Sequence, residues 1–210
     1  MTREMSLLLP RLYPITDVEL AGCSHAEQVE QLAAGGATLI QLREKKASPR
    51  EFYEAAIVAM KTARRVHVQI IINDRVDIAI AVNADGIHVG QLDLPPGHVR
   101  RLWGESRIIG VSTHTLEQAE EADREPADYI AIGPVFSTST KQNPHDVVGL
   151  ETVAAVKRLT TKPVVAIGGI TLTNARSVID AGAESVAVIS DLFSTSNVSE
   201  RVREFNQRLV

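Results

Sequence analysis

Eight short β-branched runs alternate with longer alanine-rich segments along the whole chain, and this alternation limits the fold more than any other feature. The strand candidates cover residues 12–16, 37–43, 68–73, 86–89, 107–112, 129–133, 163–167 and 185–189. Between them the spacing predicts helices over 25–34, 49–66, 76–82, 95–103, 116–122, 150–159, 173–181 and 198–209. Ile70-Ile71-Ile72 and Val164-Val165-Ala166-Ile167 are unbroken apolar runs, the pattern of parallel strands covered on both faces. Ser48-Pro49 and Pro95-Pro96 fall where helices start, because proline lacks an N–H that the first helical turn does not use. Gly35-Gly36 and Gly182 fall where helices end. A doubly wound open sheet is the competing arrangement. Eight units of similar length, with no G-x-G-x-x-G after the first strand, favour an α/β fold made of one (β/α)8 TIM barrel over residues 1–210.

Composition narrows the function classes. Hydrophobic residues make up 44% and charged residues 23%, ordinary for a globular chain and far from disorder. The net charge of −4, with no basic block, disfavours a nucleic-acid partner. No apolar run nears the roughly 20 residues that span a bilayer, so no membrane is expected. Cys23, the single cysteine, cannot form an intrachain disulfide, which makes a reducing cytoplasm the expected compartment.

Polar residues at the C-terminal ends of barrel strands face a common mouth. The second strand ends in Gln41-Leu42-Arg43-Glu44-Lys45, and strand alternation would put Gln41, Arg43 and Lys45 on one side. Asp74 follows the third strand and Asp93 the fourth. Two carboxylates on adjacent strand ends beside Arg and Lys suit Mg²⁺, which takes one or two carboxylates and fills its shell with water and phosphate oxygens. The plainer alternative is that each aspartate caps the next helix. Ser112 ends the fifth strand and either bonds a ligand or caps a helix, a task open also to Thr113 or Thr115. The loop after the sixth strand, Gly133-Pro134-Val135-Phe136-Ser137-Thr138-Ser139-Thr140-Lys141, has the hydroxyls and terminal lysine of an anion-binding lid.

Gly168-Gly169 and Ile189-Ser190 end the last two strands, the usual phosphate site of such barrels. The mouth thus offers a cationic, metal-assisted side and a neutral side of backbone amides. Mg²⁺ with three cations suits a pyrophosphate whose departure is stabilised electrostatically. No Ser-His-Asp or Cys-His set is evident. These residues outline a transferase joining a pyrophosphate ester to a phosphate-bearing nucleophile.

The ordered motifs resemble those of thiamine-phosphate synthases over nearly the whole chain: Gln41-Leu42-Arg43-Glu44-Lys45, Asn73-Asp74-Arg75-Val76-Asp77, Ala84 through Asp93, Gly110-Val111-Ser112, Gly133-Pro134-Val135-Phe136, Thr138-Ser139-Thr140-Lys141 and Ile167-Gly168-Gly169-Ile170. The resemblance implies a barrel enzyme that joins hydroxymethylpyrimidine pyrophosphate to thiazole phosphate, often in its carboxylated form. It implies that Gln41, Leu42, Arg43, Glu44, Lys45, Asn73, Ser112 and Lys141 hold the pyrimidine pyrophosphate, with Arg43, Lys45, Ser112 and Lys141 as the catalytic members. By the same resemblance Thr138, Ser139, Thr140, Gly169, Ile189 and Ser190 hold the thiazole phosphate, Asp74 and Asp93 bind Mg²⁺, and the assembly is a monomer or small homo-oligomer. The same resemblance extends to a thiazole tautomerase that shares the fold, and it implies a histidine at the place of His114 as that relative's working residue. A catalytically silent phosphate-binding barrel is the remaining alternative.

Overall fold

The structure, a computed structural model, describes residues 9–138 and 146–210. Eight parallel strands close into a barrel in chain order: β1 (Leu12–Thr16), β2 (Leu39–Leu42), β3 (Gln69–Asn73), β4 (Gly86–Val89), β5 (Ile108–Thr113), β6 (Tyr129–Ile132), β7 (Val164–Ile167) and β8 (Ser185–Val188). Closure is made by β1 on β8, with Leu12 opposite Val186 and Pro14 opposite Val188. The helices are α1 (Val18–Ala21), α2 (His25–Ala34), α3 (Pro49–Arg65), α4 (Val76–Ala81), α5 (Pro96–Trp103), α6 (Leu116–Arg124), α7 (Gly149–Leu159), α8 (Ala175–Asp180), α9 (Ser190–Phe193) and α10 (Val198–Arg208).

Local chemistry sets the boundaries. Ser24 with Glu27, and Ser48 with Glu51, form capping boxes at the starts of α2 and α3, satisfying N–H groups that the first turn leaves unpaired. Asp17 caps α1 by accepting from Glu19 and Leu20 N–H, both at 3.1 Å. The four-residue helices α1 and α9 follow β1 and β8 directly and are absent from the sequence expectation, because four residues display no helical period.

Strand alternation divides the apolar residues into two layers. One lies between the sheet and the helices, with Ile40, Leu42, Ile70, Ile72, Val99 and Phe205 among its buried members. The other fills the barrel interior with Tyr13, Ile15, Leu39, Ile71, Ile108, Tyr129, Ala131, Val165 and Ala187. The Tyr129 ring fits only because Gly110 has no side chain: a Cβ there would lie 2.0 Å from Tyr129 Cζ. Above this layer the strands open into the mouth.

Candidate active site

The floor of the mouth is a chain of polar groups crossing the interior. Gln41 Nε2 donates to Tyr13 Oη at 3.2 Å. Tyr13 Oη and Tyr129 Oη are 3.1 Å apart. Tyr129 Oη lies 2.9 Å from His88 Nδ1, and His88 Nε2 lies 2.8 Å from Ser112 Oγ. The His88 ring stacks on Tyr129 with centroids 5.5 Å apart. Burial lowers the His88 pKa to about 4. The His88–Ser112 contact is a serine–histidine pair that the sequence did not point to, and its third partner is Tyr129, so it is no Ser-His-Asp set. It is a poor nucleophile–base pair, since the second ring nitrogen meets a tyrosine rather than a carboxylate and the imidazole is a weak base. Sequence reasoning missed Tyr13, Tyr129 and His88 as site residues; the available signal was a phenol or imidazole at an inward position of an apolar strand.

The cationic side is built by the ends of β2, β3 and β4. Gln41 is the inward-facing end of β2 and is buried. Leu42 faces the helices, so its side chain lies away from the mouth. The strand ends there, so Arg43 and Lys45 lie beyond it, and each is held by an ion pair. Arg43 Nη1 bonds Asp17 Oδ2 at 2.8 Å, and Lys45 Nζ pairs with Asp74 Oδ2. Glu44 turns to its own loop, accepting from Lys46 N–H at 2.7 Å and Ala47 N–H at 3.1 Å. Burial tends to raise its pKa, and those donors with facing His25 outweigh it, so the net displacement is downward.

Neither aspartate caps a helix. Arg75 and Pro95 occupy the cap positions of α4 and α5, and neither helix receives a side-chain cap bond. Asp74 takes a left-handed backbone with φ of 61° and ties its N–H to the His88 carbonyl oxygen at 2.8 Å. Asp93 Oδ2 accepts from Gly90 N–H at 2.7 Å. Burial raises the Asp93 pKa, and the adjoining Asp74 carboxylate raises it further against the opposing Gly90 N–H and Lys45. Two carboxylates held against each other, one reluctant to ionise, are a donor set that a divalent cation relieves. Among the described residues no group of three or more His, Cys, Asp or Glu side chains is placed to hold a metal. Two carboxylates with water and phosphate oxygens are sufficient for Mg²⁺. Asn73, at the end of β3, is buried and its Nδ2 has no partner among the described residues, so it brings an unused donor to the same rim.

Four strands round the ring lies the other side. Gly168 and Gly169 have φ of 101° and 62°, and a Cβ on Gly169 would meet the Ser137 carbonyl oxygen at 2.4 Å. The β6 loop is zipped onto this turn by Val135 N–H to Ile167 O at 2.9 Å and Phe136 N–H to Gly168 O at 3.0 Å. Ile189 packs against the interior layer, and Ser190 is the first residue of α9. Thr138 is half-buried at the base of the loop. Ser139, Thr140 and Lys141 lie outside the described residues. Thr115, not Ser112 or Thr113, caps α6. His114 Nδ1 donates to the Gly133 carbonyl oxygen at 2.6 Å.

A closed parallel barrel with paired carboxylates and cations facing a glycine turn across one mouth defines a phosphate-handling TIM-barrel protein. Comparison with known proteins places it further: the family model described as thiamine monophosphate synthase matches residues 12–192, and the chain belongs to that family. It is 48% identical over 208 residues to a thiamine-phosphate synthase of Koribacter versatilis, covering 97% of each chain. It is 44% identical to the thiamine-phosphate synthase of Chloroflexus aurantiacus, covering 92% of this chain and 90% of that one. A solved structure, thiamine phosphate pyrophosphorylase from Pyrococcus furiosus, superposes with a TM-score of 0.86 at 37% identity over 95% of both chains.

Proposed function

We propose that the chain is a thiamine-phosphate synthase, a transferase that joins hydroxymethylpyrimidine pyrophosphate to thiazole phosphate, carboxylated or not, and releases pyrophosphate. In the reaction the bond from the methylene carbon to pyrophosphate oxygen breaks with its electron pair leaving on oxygen, and the thiazole nitrogen forms the new bond to that carbon. The observation that carries this reading is the Lys45–Asp74–Asp93 cluster at the ends of β2–β4, set across the mouth from the Gly168-Gly169 turn.

Mg²⁺, held by Asp74 and Asp93, would supply positive charge to the departing pyrophosphate. Lys45 and Arg43 meet the remaining phosphate oxygens, and Lys45 exchanges its bond to Asp74 for one to substrate. Gln41, Asn73 and Ser112 hold the pyrimidine end, with the Asn73 amide gaining a partner. Thr138, Gly169, Ile189 and Ser190 take the thiazole phosphate together with Ser139 and Thr140, and Lys141 meets the pyrimidine pyrophosphate, as the family resemblance implies. The lone cysteine, the phosphorylated substrates and the net charge of −4 support a cytoplasmic enzyme without nucleic-acid partners; among the described residues no helix is long and apolar enough to cross a membrane.

The test incubates purified protein with both substrates and Mg²⁺ and reads thiamine phosphate as its fluorescent oxidation product. EDTA-sensitive product is expected. Folded protein that gives no product overturns the reading, and turnover of the thiazole substrate alone, lost in His114→Ala, would establish the tautomerase.

A further inference from the structure

The polar chain across the barrel floor has a direction. Its start is the Gln41 amide, whose Nε2 donates to Tyr13 Oη. A phenol has one proton, so Tyr13, already accepting from Gln41, gives its own to Tyr129 at 3.1 Å. Tyr129 then gives its proton to His88 Nδ1 at 2.9 Å. A neutral imidazole that accepts at Nδ1 carries its proton on Nε2, and Nε2 faces Ser112 Oγ at 2.8 Å. Reversing the Gln41 amide would reverse every bond and make Ser112 the donor to histidine.

We propose that this buried chain is a one-way hydrogen-bond relay in which His88 is a positioning residue, filling the acceptor side of Ser112 Oγ so that the serine hydroxyl is held as a donor to an acceptor atom of the pyrimidine substrate. The inference deepens the synthase reading and rests on it for the identity of that substrate. Three features support a fixed relay over a fluctuating one. Tyr13, Tyr129, Gln41 and His88 are all buried, so no bulk water competes for the bonds. The stacking of His88 on Tyr129 at an interplanar angle of 22° fixes the ring plane. Gln91 Nε2 donates to the Ser112 carbonyl oxygen at 2.8 Å, holding the serine backbone as well.

The relay is read first in the free protein by long-range ¹H–¹⁵N correlation of the histidine rings, with the His88 signals assigned by their loss in His88→Gln. A neutral ring protonated at Nε2 is expected; protonation at Nδ1 overturns the direction and with it the donor role of Ser112. The second arm is kinetic. Tyr129→Phe removes the hydroxyl that fixes the tautomer, so an Nδ1-protonated population should appear. KM for the pyrimidine substrate should rise about threefold to tenfold, the range of one hydrogen bond, while KM for the thiazole substrate stays put. His88→Gln, which can place an amide N–H near the position of Nε2, should retain more pyrimidine affinity than His88→Leu. Equal rises for both substrates would mean a general structural loss and overturn the positioning role, as would an unchanged tautomer and KM in Tyr129→Phe. Because the spectrum needs no substrate, it tests the direction of the relay even where the synthase reading fails.

Discussion

Acidification should destabilise the barrel through His88, and the size of the effect follows from the burial of its ring. Burial lowers its pKa from the ordinary value of 6.5 to about 4. Between those values the unfolded chain binds a proton at this residue that the folded chain does not, so stability rises with pH across the window. The contribution is complete above 6.5 and is lost as pH falls toward about 4. One proton of difference is worth ~1.4 kcal/mol per pH unit, which over the span from 6.5 to about 4 comes to about 3 kcal/mol. For a chain of this length that corresponds to roughly 6–12 °C in Tm. His25, lowered by burial, acts in the same direction, and Asp93, raised by burial, acts in the opposite one. Comparison with His88→Gln separates His88 from both, since the variant retains them. Thermal melts between pH 7 and pH 4 should show the parent losing that much more Tm than the variant. Parallel curves would refute the reasoning and mean that the ring is protonated or solvated in the folded chain.

Gly110→Ala should overpack the interior, because its Cβ would lie 2.0 Å from Tyr129 Cζ; a loss of about 1–3 kcal/mol is expected by chemical denaturation, shrinking in a Tyr129→Leu background. Mg²⁺ should raise the Tm of the parent, more at pH 7 than at pH 4 because metal binding needs the ionised form of Asp93, whose pKa is raised. Asp93→Asn should abolish that rise; a shift that survives in the variant would place the metal elsewhere. Asp17→Asn should weaken the hold on Arg43, now bonded at 2.8 Å, while the α1 cap survives because asparagine caps equally well. KM for the pyrimidine pyrophosphate should rise about threefold or more with Tm little changed, as expected for one charge-assisted hydrogen bond; an unchanged KM would mean that Asp17 does not position Arg43.

The barrel is legible in the sequence because its strands are apolar runs covered on both faces and several helices carry their own punctuation, as at Ser48-Pro49, Pro95-Pro96, Gly35-Gly36 and Gly182. The bounds expected for β1, β4 and α2 match the structure, and the others shift by one to two residues at their ends. Phase was harder. β2 stops at Leu42, so strand alternation does not by itself fix Arg43 and Lys45, which are held by ion pairs with Asp17 and Asp74. Excluding a capping role for Asp74 and Asp93 depends on which residues start α4 and α5, a matter of backbone geometry at Arg75 and Pro95. The relay was least legible of all. Tyr13, His88, Ser112 and Tyr129 lie on β1, β4, β5 and β6, and only closure of the barrel brings their polar tips together across its interior.

If the two sides of the mouth hold different phosphates, substitutions on each side should affect different substrates. The most direct test is to measure KM for both substrates in Asp74→Asn and in Ser190→Ala. Asp74→Asn should impair use of the pyrimidine pyrophosphate and blunt the response to Mg²⁺ while leaving KM for thiazole phosphate unchanged, and Ser190→Ala should do the reverse. Both variants impairing the same substrate would contradict the two-sided mouth.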